Sequence, residues 1–277
     1  MSATAPAPHL GTGTFDISGT APIPLTRLVG VEVRKLVDTR SGRWLLIVQA
    51  ALIAIGSLVL AVVIARNDGT AALFDFTSIA GGVTQLLLPV MAIMAVTTEW
   101  SQRTNMATFT LEPRRGRVVL AKALAAVLVG LAALVVAVGI GALMTGVSGL
   151  LGAETTWDPR PELLLGFALL QVMSLLIGFA FGTLLLNTPA AIVLYIAFYT
   201  IIPGIIAAAA SLMSWFDDIR PWIDFNMAIM PLSDFGQPDS ELGFGAIEWP
   251  EFTTSVALWF GLPLVLGVLR MLRAEIK

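Results

Sequence analysis

The chain has 277 residues, 57% of them hydrophobic and 13% charged, with a mean hydropathy of +0.86 and a formal net charge of −3. Soluble domains carry about 25% charged residues, so this composition excludes an ordinary soluble globular protein. The absence of cysteine excludes disulfides, thiolate nucleophiles and cysteine-based metal sites.

Residues 1–23 are rich in Ala, Pro, Thr and Gly without periodicity, and they lack the basic start and apolar core of a cleaved signal peptide. They read as a disordered tail, and the single histidine, His9, lies in it. Residues 24–43 change character. Leu25, Leu28, Val29, Val33 and Leu36 fall on one helical arc, with Arg27, Gly30, Arg34 and Asp38 opposite. This pattern predicts an amphipathic basic helix lying in the membrane interface. Glu32 and Arg40 interrupt the apolar arc, so the helix is expected to be half exposed.

Residues 44–277 then hold six apolar runs: Trp44–Ala65, Thr77–Thr98, Val118–Met144, Leu163–Leu186, Thr188–Ala210 and Phe252–Leu269. A run of about 20 apolar residues matches the hydrocarbon core of a bilayer at 1.5 Å per residue. The stretch from Leu163 to Ala210 is about twice one crossing. Asn187, Thr188 and Pro189 divide it, because proline supplies no N–H and disfavours helix in the residue before it. The expected fold is therefore all-α and polytopic, with six transmembrane helices.

Orientation follows from the basic residues. The N-terminus, the 99–122 region and the C-terminus share one side, which carries 13 of the 16 Lys and Arg. The positive-inside rule makes that side, and both termini, cytoplasmic in a cell membrane. The other side holds 13 of the 19 acids, which explains the low pI without any role in binding nucleic acid. Trp44 and Trp100 fall at one boundary, and Trp157, Trp215, Trp222 and Trp249 at the other, as amphipathic indoles prefer.

Within the spans, Gly178 and Gly182 form a GxxxG pair that permits close helix packing inside one subunit. Pro89, Pro203 and Pro263 are expected to kink the second, fifth and sixth spans. Thr84, Gln85, Tyr195, Tyr199 and Thr200 are the polar groups available to a central pathway, and interhelical hydrogen bonds explain them as well. The segment 211–251, with Trp215, Trp222, Ile229 and Leu232 among acids and prolines, is too apolar for an ordinary loop.

Several chemistries are missing. No Gly-x-x-x-x-Gly-Lys-Ser/Thr occurs, so the chain has no P-loop, and no His-Glu-x-x-His occurs. The six apolar runs contain no Asp, Glu or Arg, and their one lysine, Lys122, is expected to snorkel to the headgroups. Ion-coupled carriers place ionisable groups within the membrane. If the protein moves something, its energy comes from elsewhere.

Residues 99–117 form a polar, basic hairpin between the second and third runs. Pro113 stops a short helix begun near Ser101 or Thr104; Met106, Phe109 and Leu111 offer apolar contacts, and Arg103 and Arg114–Arg117 supply charge. A helix of two or three turns is marginal alone, so docking into a partner would stabilise it. The other reading is a solvated loop with arginines on headgroups. Glu99 either bonds within the end of the second span or toward the N-terminal helix, or relays motion from the hairpin.

Glu99, Thr104, Leu111-Glu112-Pro113-Arg114-Arg115-Gly116-Arg117 and Ala121-Lys122-Ala123-Leu124 resemble the cytoplasmic connection of ABC-2 type ABC transporter permeases. Val31–Leu36 and Ser41–Trp44 resemble the elbow helix and first span of that family. One departure is Thr104–Thr108, where family members often have Gly-Thr-Ile. The resemblance implies a permease subunit without enzymatic activity of its own, pairing with a second copy or a homologue and with two ABC ATPase subunits that bind ATP and magnesium. It implies a coupling helix between spans two and three, with Glu99, Arg103, Thr104, Met106, Phe109, Arg114 and Arg115 as the ATPase-coupling residues. It also implies short helices roofing the exit within 211–251. The alternatives from other classes are a non-transporting membrane scaffold or sensor subunit, and a membrane enzyme.

Overall fold

The computed structural model of the chain describes residues 23–102, 104, 106, 110, 112, 114–158, 161–233 and 247–273. The expected tail, Arg103, Phe109 and most of the expected coupling helix lie outside the described residues. Among the described residues six helices are long and apolar enough to cross a membrane: Arg40–Arg66, Leu73–Ser101, Arg115–Leu150, Leu164–Leu185, Thr188–Leu212 and Trp249–Arg273. They are the first to sixth spans below, and they make the chain an all-α polytopic membrane protein. Each extends past, or ends within a residue of, its apolar run, because backbone hydrogen bonding continues a helix into the polar residues at its ends.

The N-terminal helix runs Leu25–Asp38 and stops at Thr39, whose extended backbone turns the chain. The Thr39 hydroxyl caps the first span by accepting from Gly42 N at 3.2 Å. Residues 40–43, expected to continue the elbow helix, instead belong to the first span. In the N-terminal helix Leu28, Val29, Val33 and Leu36 pack inward, whereas Arg27, Gly30, Arg34 and Asp38 are exposed. Glu32, which breaks the apolar arc, is also on the packed side and buried.

The second and fourth spans form the centre of the bundle and are its most buried members. A Cβ at Gly178 would lie 2.7 Å from Pro89 Cβ, and one at Gly182 3.1 Å from Ile93 Cα. The GxxxG pair therefore brings the fourth span onto the second within the same chain. Leu88, Met91, Leu175 and Phe179 fill the core beside this contact. Between the fourth and fifth spans, Leu186 adopts a positive φ of 50° and Asn187 Oδ1 accepts from Ala190 N at 3.0 Å. The break at 187–189 is thus a capped turn with Pro189 in the first helical turn.

The fifth and sixth spans each contain a π-helical turn, Ala197–Ile201 and Ala257–Gly261. Each turn lies directly ahead of a proline, Pro203 and Pro263. A proline ring clashes with the carbonyl four residues upstream, here that of Tyr199 or Trp259. A widened turn moves that carbonyl aside, so the expected distortions take the form of π bulges.

Away from the N-terminal helix, two three-residue strands not expected from the sequence pair in parallel. β1 (Thr70–Ala72) and β2 (Glu154–Thr156) align Thr70 with Glu154 and Ala72 with Thr156, tying the first loop to the third. Three short helices, Ser214–Asp217, Arg220–Ile223 and Phe225–Ser233, lie within segment 211–251 ahead of the sixth span. Asp224 caps the third by accepting from Asn226 N at 3.1 Å. Trp259 Nε1 donates to Ile223 O at 2.8 Å, fixing these helices to the sixth span.

Candidate functional site

At the end bearing the N-terminal helix, four charges from three helices close into a ring. Lys122 Nζ lies 2.8 Å from Glu32 Oε2 and 2.8 Å from Glu99 Oε1, and donates to Ala95 O at 3.0 Å. Lys35 Nζ lies 2.7 Å from Glu32 Oε1 and 2.8 Å from Glu99 Oε1. Each lysine thus bridges both carboxylates. Glu32 and Lys35 come from successive turns of the N-terminal helix, Glu99 from the end of the second span, and Lys122 from the start of the third.

Lys122 is only 2% exposed. This corrects the expectation that it snorkels to headgroups: its three donors are spent inside the protein. A buried ammonium is tolerable only when paired and hydrogen-bonded, and Glu32 and Glu99 meet that condition. Lys35 is more exposed. Burial works against its charge, yet hydrogen bonds to Glu32 and Glu99 and their nearby charges hold its ammonium above the ordinary lysine range. Of the two roles open for Glu99, the contact with the N-terminal helix is present, made through Lys35.

A cavity of about 590 Å³ adjoins the ring, lined by Lys35, Thr39, Arg40, Thr98, Glu99 and Gln102, among others. Thr104 N donates to Glu99 O at 2.9 Å, so the hairpin leaves the second span beside the ring. Met106 is exposed.

The basic turn of the hairpin is anchored within the chain. Arg115 Nη1 donates to Met271 O and Leu272 O, at 2.9 and 3.1 Å, capping the carbonyl end of the sixth span. Arg117 donates to Glu112 Oε2 at 3.1 Å and to Ile23 O at 2.6 Å, ahead of the N-terminal helix. Arg114 is exposed. Arg270 donates to Leu184 O at 2.6 Å and so caps the fourth span. The root of the hairpin is bonded to the N-terminal helix and to the second, third and sixth spans.

The proposed pathway residues divide. Tyr195 OH donates to Gln85 O at 2.6 Å and Tyr199 OH to Gln85 Oε1 at 3.1 Å, with the two phenol rings stacked at 6.3 Å. Gln85 also lines a cavity of about 420 Å³ with Ser78, Phe167 and Asn226. Thr84 does not join them: it is buried and donates to Gly81 O at 3.0 Å. Thr200 is exposed and donates to Ile196 O at 2.7 Å. Ser174, not singled out from the sequence, is buried within the fourth span.

Glu32 and Lys122 are the ring members whose pairing the sequence did not reveal. Their signal was present: a carboxylate on the apolar arc of one helix and one lysine inside a span each require an opposite charge. Among the described residues no group of three or more His, Cys, Asp and Glu side chains could hold a metal ion. No protein-family model matches the chain, and no curated protein matches it.

Proposed function

We propose that the chain is the membrane subunit of an ATP-driven exporter of the ABC-2 kind. Two copies, or one copy and a homologue, line the pathway in the plasma membrane with their termini in the cytoplasm. Two separate ATPase subunits bind ATP and magnesium and grip residues 101–117. The observation that carries this reading is the ring of Glu32, Lys35, Glu99 and Lys122 at the root of the hairpin. A loop that only sat among headgroups would need no rigid root.

The mechanism follows from the connections. ATPase closure displaces the hairpin, and the ring makes the N-terminal helix and the second and third spans move with it. Arg115 passes the same displacement to the sixth span through the Met271 and Leu272 carbonyls. The π turns ahead of Pro203 and Pro263 are the places where the fifth and sixth spans can bend without breaking a regular ladder. Gln85, Tyr195 and Tyr199 supply hydrogen bonds along the pathway. The transported molecule must bind the two states with different affinity for the cycle to move it.

The test is reconstitution into vesicles with and without the ATPase that co-purifies from the native membrane. The proposal expects ATP-dependent transport only from the complex and no ATP hydrolysis by the chain alone. Turnover by the chain free of any ATPase would refute it.

A further inference from the structure

A second site lies outside the charge ring, on the lipid-facing side of the bundle. The first and third spans, with Val33 and Val37 of the N-terminal helix at one end, line a groove of about 560 Å³. Its rim includes Ile47, Leu128 and Val136, each more than half exposed. Its floor includes Ile53, Val129 and Gln49, all buried. No described residue that lines it carries a charge.

Gln49 is the anomaly. It is 3% exposed, it is the only polar side chain among the described residues lining the groove, and its Oε1 has no hydrogen-bond partner among them. It lies six residues past Arg43, about 9 Å along the helix at 1.5 Å per residue. That depth is below the headgroups, where no water supplies a missing bond. An amide oxygen left unpaired there is costly, so a site built this way gains by receiving a donor.

We infer that the groove binds one neutral lipid-like molecule whose hydroxyl or amide N–H donates to Gln49 Oε1 while its apolar body fills the groove. Neutrality follows from the lining, since an ammonium or carboxylate would enter hydrocarbon without a counter-charge. The donor must sit within the apolar part of the molecule, because Gln49 lies below the headgroup level. Ala50, Ala132 and Ala133 keep the groove wide enough for a chain or fused rings. A helix from a second copy fits less well, because its backbone donors are already used within it. This assignment does not depend on the transport reading.

Photo-labelling of the full chain in phosphatidylcholine nanodiscs tests it, using a long-chain alcohol with a diazirine near its hydroxyl and the methyl ether of the same molecule. The alcohol should label residues 46–53 and 128–140 about tenfold more than the ether, the worth of one hydrogen bond. Gln49→Leu should remove that preference while leaving the protein folded, because it deletes an unpaired polar group. Ala133→Phe, which fills the groove, should abolish labelling by both probes. Equal labelling of the wild type by alcohol and ether would overturn the inference. So would a Gln49→Cys variant that cross-links to a second copy with no labelling of the groove, and with no native cysteine that cross-link reports one position.

Discussion

Lys122 Nζ and Glu32 Oε2 lie 2.8 Å apart, 90 residues distant in the chain, and join the third span to the N-terminal helix in a nearly solvent-free position. Glu99 completes the contact from the second span. Removing one partner of such a pair leaves an uncompensated buried charge, at a cost of about 3–5 kcal/mol. Lys122→Met should therefore lower thermal stability in detergent sharply, while Arg34→Met, on the exposed side, should not. Adding Glu32→Gln to Lys122→Met should recover a large part of the loss. Additive losses in that double mutant would contradict the pairing.

The pH dependence of the ring has a defined sign. The Lys35 ammonium is held above the ordinary lysine range. Its contribution is therefore full below the unfolded lysine value and fades as pH rises through the folded one. The stability gap between wild type and Lys35→Met should stay flat from neutral pH to about pH 9 and close above about pH 10.5. A gap that closed between about pH 4 and pH 7 would assign the effect to a carboxylate instead.

Gly178 and Gly204 provide a matched pair. A Cβ at Gly178 meets Pro89, whereas one at Gly204 meets nothing within 4 Å. Gly178→Val should destabilise by about 1–3 kcal/mol or more through overpacking, and Gly204→Val should fall well short of that. Equal midpoints in thermal unfolding would place the second and fourth spans farther apart than described.

Arg115 and Arg114 are adjacent but differently engaged. Arg115→Ala frees the Met271 and Leu272 carbonyls, where a charge-assisted bond is worth about 1.5–3 kcal/mol. Hydrogen exchange should accelerate over residues 262–273 in Arg115→Ala and remain unchanged in Arg114→Ala. The same exchange pattern in both variants would remove the sixth span from the hairpin's connections.

Hydropathy alone located all six spans, because a membrane helix must be apolar along its whole crossing length. The break at Asn187-Thr188-Pro189 was legible for the same local reason: capping and proline chemistry act within one turn. The need for an opposite charge at Glu32 and at Lys122 was legible, but which groups pair was not, since the ring's members lie up to 90 residues apart and meet only through space. Lys122 looked like a snorkelling residue because one lysine near a span end carries no mark of its partner. Trp259 was similarly hidden: among six tryptophans at expected boundaries, the seventh packs 4.8 Å from Phe198 inside the bundle. The partition of the polar residues, with Gln85, Tyr195 and Tyr199 joined and Thr84 and Thr200 apart, depends on helix rotation that no periodicity specifies.

The most direct measurement is ATP hydrolysis and subunit recovery for the tagged chain purified from its native membrane, as wild type, Phe109→Ala and Arg114→Ala, at low and high salt. Buried apolar anchors dominate interface affinity at about 2 kcal/mol or more each, near 30-fold, whereas rim charges contribute less and are screened. An ATPase should be bound to the wild type, lost or uncoupled in Phe109→Ala at either salt, and only weakened in Arg114→Ala with the difference fading at high salt. A wild-type preparation that carries no ATPase, or a Phe109→Ala variant that recovers it undiminished and coupled, would rule out the hairpin as the ATPase dock.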